Sequence, residues 1–295
     1  MPLERAPYDA PIGVFDSGVG GLSVLRQLLR VLPEEDMVYF ADTAWAPYGE
    51  RSAEAIQARS VAITRFLVEQ HGIKAIVMAC NTATTQAVEQ VRAAFPQLPI
   101  IGIEPAIKPA AALTLNGHIG IMATRGTVKS AKFQKLVDTW RGQHDIRVTA
   151  CDGLALAIEN DLHGHANPDG QTVDSLCQRY VQALGPFVAQ DPTQGIDTLV
   201  LGCTHYPFAA EILRALIGHG VRVIEPGEAV ARQTERLLRN KQLLRPRTHH
   251  HSLERRGHLQ LLCTAQPERL QSATQNWLHR HLPVTLAPLP FSPNC

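Results

Sequence analysis

The stretch Ile76-Val77-Met78-Ala79-Cys80-Asn81-Thr82-Ala83-Thr84 decides the fold. Its short apolar run has the length of a buried strand, and it leads straight into a cysteine followed by amide and hydroxyl residues. Open α/β sheets place their chemistry at the carboxyl ends of strands. The pattern recurs as Leu199-Val200-Leu201-Gly202-Cys203-Thr204-His205-Tyr206.

Outward from the first stretch, residues 11–15 read as a strand ending in the loop Asp16-Ser17-Gly18-Val19-Gly20-Gly21, and residues 24–31 carry apolar side chains at helical spacing. Strands at 37–40, 73–79 and 99–103 alternate with helices at 52–69 and 85–95. This β-α-β-α-β-α-β order predicts a parallel sheet with helices on both faces. The order restarts with a strand at 119–123, a helix ending near 140, a strand at 145–150 and helices at 154–162 and 172–188. A strand at 196–201, a helix at 208–217, a strand at 221–224 and a helix at 229–239 follow. Residues 243–256 read as a polar linker, and strand, helix and strand are expected at 258–264, 267–278 and 282–286. The strand beginning Ile12-Gly13-Val14-Phe15 aligns loosely with Ile119-Gly120-Ile121-Met122, and Cys80 aligns with Cys203. The fold class is therefore α/β, with two similar doubly wound parallel-sheet domains expected to face a shared cleft.

Composition narrows the function. The 295 residues carry 28 Lys+Arg against 27 Asp+Glu, a net charge of +1, so no electrostatic footprint points to nucleic acid or an acidic membrane. No apolar run reaches the roughly 18 residues of a membrane span. The first seven residues lack an apolar signal core, and residues 1–10 read as a short lead. Six cysteines without regular spacing do not form a disulfide framework, which suits a reduced, cytoplasmic compartment.

Backbone N–H groups of the loop at 16–21 could hold an anion. It lacks the Gly-Lys-Ser/Thr of a phosphate loop and the spacing of a dinucleotide fingerprint. A tight turn packing helix on strand explains it equally well, although Asp16 repels a phosphate and suits an ammonium group or a catalytic thiol. A lone cysteine beside an apolar strand is usually a small core hydrophobe. Cys151, Cys177, Cys263 and Cys295 take that reading or a terminal one. Cys80 and Cys203 differ, because each lies just past a strand, beside polar neighbours and close to a helix start that favours thiolate. No CxxC, HxxxH or HExxH occurs, so no metal site is expected. His163-Gly164-His165 and His249-His250-His251 read as solvated loops. A Cys–His–acid hydrolase through Cys203 stays open; it needs a turn that folds His205 back, and it leaves Cys80 without a role.

Taken together, these residues resemble the glutamate racemases of the cofactor-independent aspartate/glutamate racemase superfamily. The resemblance rests on Ile12-Gly13-Val14-Phe15-Asp16-Ser17-Gly18-Val19-Gly20-Gly21-Leu22-Ser23, on Tyr39-Phe40-Ala41-Asp42-Thr43 with Pro47-Tyr48-Gly49, and on Ala79-Cys80-Asn81-Thr82-Ala83. Ala123-Thr124-Arg125-Gly126-Thr127 and Gly202-Cys203-Thr204-His205-Tyr206-Pro207 complete it, over roughly residues 12–240. It implies a first domain of residues 1–104 with 213–295 and a second of 105–212. Cys80 and Cys203 become the two catalytic bases, Cys80 acting on the D-enantiomer and Cys203 on the L-enantiomer. Asp16 and His205 become helpers of the thiols, and Glu159 a further assisting carboxylate. Asp16, Ser17, Tyr48, Gly49, Asn81, Thr82, Thr204 and His205 would surround glutamate. Neither pyridoxal phosphate nor a metal is implied, nor a nucleic-acid or membrane partner. The product, D-glutamate, would feed peptidoglycan synthesis and so cell-wall biogenesis and cell shape.

The chain departs from the family pattern at Cys151-Asp152, where Cys-Pro is frequent, and at Ile224-Glu225, where Ile-Asp is usual. Residues 246–295 read as an added strand-helix-strand with no catalytic role. A homodimer and activation by a cell-wall nucleotide precursor both stay open. Rival readings are a racemase for aspartate or another acidic amino acid, and a binding or regulatory protein on the same scaffold.

Overall fold

Every strand pair among the described residues is parallel. The computed structural model describes residues 8–162, 164–167, 170–191, 193–246 and 256–288. Residues 1–7, His163, the run His249-His250-His251 and the end from 289 onward lie outside the described residues.

The chain divides into two units, one of residues 1–103 with 227–295 and one of 104–226. The first unit holds β1 (Ile12–Asp16), β2 (Met37–Ala41), β3 (Ala75–Met78), β4 (Ile100–Gly102), β9 (Leu259–Cys263) and β10 (Val284–Leu286), in the order β10-β9-β2-β1-β3-β4. Its helices are α1 (Leu22–Val31), α2 (Ala53–His71), α3 (Asn81–Ala94), α10 (Gly227–Asn240) and α11 (Pro267–Leu278). The second unit holds β5 (His118–Ala123), β6 (Asp145–Ala150), β7 (Thr198–Gly202) and β8 (Arg222–Ile224), in the order β6-β5-β7-β8. Its helices are α4 (Ile107–Leu113), α5 (Arg125–Lys129), α6 (Ala131–Arg141), α7 (Leu154–Leu162), α8 (Val173–Leu184) and α9 (Ala210–Ile217).

The four strands β2-β1-β3-β4 and the four strands β6-β5-β7-β8 follow the same order relative to the chain. The weak repeat is thus a repeat of topology, with β3 and β7 in equivalent places. Strands β1, β2, β3 and β7 are buried along their whole length, as strands covered on both faces must be. Ser52 caps α2 by accepting from the Ala55 N–H at 3.2 Å, and Gly72 ends it in the left-handed conformation at φ 57°.

Several boundaries differ from the sequence reading. Helix α3 begins at Asn81, directly after Cys80, and not at 85. The run Asn81-Thr82-Ala83-Thr84-Thr85 looks like loop chemistry, but Thr84 Oγ1 donates to the Met78 carbonyl at 3.1 Å and accepts from Ile103 N–H at 3.1 Å. Those bonds bind the first turn of the helix to two strand ends. Helix α4 was not expected after Pro105. The helix expected to end near 140 is broken at Ser130, which ends α5 and whose hydroxyl caps α6 by accepting from Phe133 N–H at 3.2 Å. The return to the first unit comes at Gly227 and not at 213, because β8 pairs with β7 and keeps α9 within the second unit. The expected strand-helix-strand beyond 246 is β9, α11 and β10, which extend the first sheet past β2.

A buried charge cluster ties the amino ends of these strands together. Lys74, just before β3, is fully buried against Glu35, which also accepts from the Arg245 N–H at 2.8 Å. Arg245 Nη2 pairs with Asp36 at 2.8 Å. Burial pulls the Lys74 pKa down, against the opposing effect of Glu35. Glu35→Ala would strand the Lys74 ammonium without its counter-charge, and removing one member of such a pair typically costs about 3–5 kcal/mol. Urea unfolding of that variant is expected to show a loss of this size.

Candidate active site

In the first unit the carboxyl ends of β1 and β3 lie side by side, where the chain leaves β1 for β2 on one flank and later returns to β3 on the other. Asp16 ends β1 and is fully buried. Its Oδ2 accepts from the N–H groups of Gly18 at 3.3 Å and Gly21 at 2.8 Å. Tyr39 Oη donates to the Gly18 carbonyl at 3.0 Å. A Cβ at position 21 would come within 2.6 Å of the Asp16 Cβ, so the loop needs glycine there for close approach. The loop therefore spends N–H groups on its own carboxylate, which argues against the phosphate-holding alternative.

Cys80 is the N-cap of α3, and its Sγ accepts from Ala83 N–H at 3.4 Å. Ser17 Oγ lies 3.4 Å from the same sulfur. A helix N-terminus and an N–H donor at the sulfur both favour thiolate over thiol. Thr82 is buried, and Asn81 is 3% exposed with neither amide atom of its side chain hydrogen-bonded among the described residues. Buried polar atoms of this kind call for an explanation in function.

Tyr48 and Gly49 sit in a short 3-10 turn, Tyr48–Glu50, after the cis peptide Ala46-Pro47. The Tyr48 hydroxyl donates to Asp42 Oδ2 at 2.6 Å. Burial pushes the Tyr48 pKa well up, and the Asp42 charge pushes it further; Cys80 is also close enough to contribute. Asp42 in turn takes a bidentate pair from Arg59, Nε to Oδ2 at 2.8 Å and Nη2 to Oδ1 at 2.7 Å. The Arg59 guanidinium lies 5.1 Å from the centroid of the Trp45 ring. Asp42 lies within the motif Tyr39-Phe40-Ala41-Asp42-Thr43, whereas Arg59 lies outside every motif singled out in the sequence. Its signal is an arginine on the buried stripe of α2, between Ile56 and Ile63. At Gly49 an added Cβ would meet nothing within 4 Å.

In the second unit Cys203 follows β7. A tight turn, closed by Tyr206 N–H donating to the Cys203 carbonyl at 3.2 Å, folds His205 back so that its Nδ1 lies 3.9 Å from Cys203 Sγ. The other ring nitrogen, Nε2, lies 3.1 Å from Glu159 Oε2 on α7. Cys203, His205 and Glu159 form one line of contacts, and Thr204 is buried beside them. Burial disfavours charge on His205, but the bonds and charges of Cys203 and Glu159 outweigh it and hold the pKa well above the ordinary value. Tyr206, also missed as a site residue, is fully buried and donates to the Cys151 carbonyl at 3.4 Å, fastening the turn to the end of β6.

The remaining described thiols have no such support. Burial pushes Cys177 to about 12 and Cys263 to about 11, and raises Cys151 as well. All five described cysteines are free. Among the described residues no group of three or more His, Cys, Asp or Glu is placed to hold a metal, and no helix is long and apolar enough to cross a membrane.

The family model for Asp/Glu/Hydantoin racemase matches residues 12–234. The glutamate racemase of Pseudomonas paraeruginosa (strain DSM 24068 / PA7) is 49% identical over 240 residues, covering 81% of this chain and 85% of that protein. A glutamate racemase isoform from Bacillus anthracis superposes with a TM-score of 0.81 at 30% identity, covering 96% of this chain and 99% of that one. The Escherichia coli glutamate racemase, solved with L-glutamate and the activator UDP-MurNAc-ala, gives 0.75 at 33% identity, covering 91% and 95%. The Francisella tularensis glutamate racemase, solved with D-glutamate, gives 0.76 at 27% identity, covering 96% and 99%.

Because the His205 pKa is raised, the stabilisation from its contacts is complete below the ordinary histidine value near 6.5 and is lost as pH rises through the raised value. Glu159→Gln removes one of the charges responsible. In that variant His205 is expected to lose its proton at a lower pH than in the parent, read from imidazole chemical shifts across a pH titration.

Proposed function

The chain belongs to the glutamate racemases of the Asp/Glu/Hydantoin racemase family, and from that premise we propose that it interconverts L- and D-glutamate by proton transfer between Cα and two thiols, Cys80 and Cys203. It is an amino-acid racemase, an isomerase. The observation that carries the two-thiol reading is topological. Two cysteines occupy equivalent strand ends in a repeated strand order, and each has its own polar support.

Racemisation takes a proton from one face of Cα and returns one to the other. The Cα of a free amino acid is a weak acid, so both the base and the acid must be positioned before the bond breaks. One thiol acts as thiolate base while the other, still protonated, acts as acid, and exchanging their states reverses the direction. Such groups work best with pKa values near ambient pH. Cys80 draws thiolate character from the helix terminus and Ser17, with Asp16 as its helper. Cys203 has His205 as its proton-handling neighbour, and Glu159 orients that imidazole. Cys80 serves the D-enantiomer and Cys203 the L-enantiomer.

Substrate contacts follow from donor chemistry. The Asn81 amide has capacity unused by the described protein groups, and with Thr82, Thr204 and Ser17 it suits carboxylate recognition and the charge that develops toward an enediolate. The Tyr48 hydrogen is committed to Asp42, so its hydroxyl faces a ligand as an acceptor, and the neighbouring Gly49 backbone is open to approach. The E. coli and F. tularensis relatives, solved with L- and D-glutamate, support glutamate over aspartate as the substrate. D-Glutamate so made would serve peptidoglycan synthesis in the cytoplasm.

In D₂O the purified enzyme is expected to exchange the Cα hydrogen of both glutamate enantiomers and to erase optical activity. Cys80→Ser and Cys203→Ser should each lower kcat by about a hundred- to ten-thousand-fold, the range for general acid–base groups. Full activity in the double variant would refute the mechanism. Faster turnover of aspartate would move the substrate, and release of a product of new mass would favour a hydrolase built on Cys203, His205 and Glu159. Gly49→Ala, which meets no steric obstacle, is expected to keep the parent melting temperature and to raise KM for glutamate.

A further inference from the structure

We propose that Thr264, at the end of β9, is a positioning residue for the glutamate site, acting through Asp42 on Tyr48 and Gly49. The inference rests on the reading of Tyr48 and Gly49 as substrate contacts. Strand β9 lies beyond residues 12–234, the part of the chain matched by the family model.

Strand β9 runs alongside β2, with Cys263 level with Ala41. One residue further on, Thr264 N–H donates to the Ala41 carbonyl at 3.1 Å. The Thr264 hydroxyl then works in both directions. It donates to Asp42 Oδ1 at 3.0 Å and accepts from Ala44 N–H at 2.9 Å. Next to it, Thr43 Oγ1 donates to the Ala265 carbonyl and accepts from Ala265 N–H at 3.0 Å. The turn from 42 to 44 is thereby held to the C-terminal segment by its side chains as well as its backbone.

Asp42 has no exposure, and a carboxylate offers about four lone-pair sites. All four are taken: Arg59 Nε and the Tyr48 hydroxyl at Oδ2, Arg59 Nη2 and the Thr264 hydroxyl at Oδ1. The shell fixes the plane of the carboxylate, and that plane aims Oδ2 at Tyr48. Without the Thr264 hydroxyl, Oδ1 keeps only Arg59 and the Ala44 N–H loses its acceptor. The carboxylate is then free to rotate toward Arg59, and the chain that carries Trp45, Tyr48 and Gly49 loses one of its fastenings to the sheet, the Thr43 bonds to Ala265 remaining. A segment 222 residues away in sequence thus sets the position of the substrate loop.

The test compares Thr264→Val, which keeps the shape and removes the hydroxyl, with Thr264→Ser, which restores it. KM and kcat are measured for both glutamate enantiomers on the full chain, with melting temperature alongside. The valine variant is expected to raise KM about tenfold, the scale of one hydrogen bond to a charged group, with a smaller change in kcat. The serine variant is expected to lie within about twofold of the parent, since it retains that bond. In a Tyr48→Phe background the effect of Thr264→Val on KM should largely disappear, because both changes cut the same path. Should the valine variant fail to fold, Thr264→Ala is read in its place. An unchanged KM in the folded variant, whatever its melting temperature, overturns the proposal, as does an undiminished effect in the Tyr48→Phe background. Cys80→Ser run in the same assay keeps the two readings apart: retained exchange there refutes the two-thiol mechanism, whereas lost exchange with a normal KM in Thr264→Val refutes only the positioning role.

Discussion

Parallel pairing is the constraint on which the rest of this structure depends. A parallel neighbour is reached only by a crossover, and crossovers in such sheets share one hand. Each unit begins in the middle of its sheet, places its second strand on one flank and its third on the other. The chain therefore parts above the first and third strands, and the carboxyl ends there are left open for side chains. Asp16 and Cys80 occupy that place in the first unit. Ala123, which leads to Thr124, and Cys203 occupy it in the second.

The two thiols share a position but not a means of support. Cys80 is served by its own helix, since this residue, two past the end of β3, caps α3. Its electrostatic assistance is local and needs few distant partners. Cys203 is followed first by a 3-10 turn at Tyr206–Ala209, and only then by α9. Its assistance comes from an imidazole two residues on, held by a carboxylate from α7. Supports that differ in kind place the two sulfurs in distinct electrostatic surroundings, one at a helix N-terminus and one beside an imidazole.

A single buried carboxylate organises the carboxyl end of β2, beside Asp16. Asp42 gathers a tyrosine from the turn at 48–50, an arginine from α2 and the threonine that follows β9. Burying such a charge is costly unless every lone pair finds a donor. The four donors meet that requirement, and they hold the loop at Tyr48 in register with both the core helix and the C-terminal strands.

By itself, the amino-acid sequence determined the alternation of strands and helices, the parallel class of the sheets and the singling out of Cys80 and Cys203 from the other cysteines. Each is written in local order: apolar periodicity, turn residues, and the polar neighbours that follow a strand. The strand-helix-strand beyond residue 246 was legible for the same reason, although its place beside β2 was not. Only the tertiary structure decided where the chain returns to the first unit, because the pairing of β8 with β7 outweighs any break in composition near 213. It also decided that α3 starts at Asn81, through bonds from Thr84 to two strand ends. The proximity of Glu159 to His205, 46 residues apart, was accessible beforehand only through family resemblance. The Asp42 shell was not accessible at all, since residues 42, 48, 59 and 264 share no sequence period. A charge-satisfied cluster is defined by which groups meet in space, and a linear pattern carries no record of that.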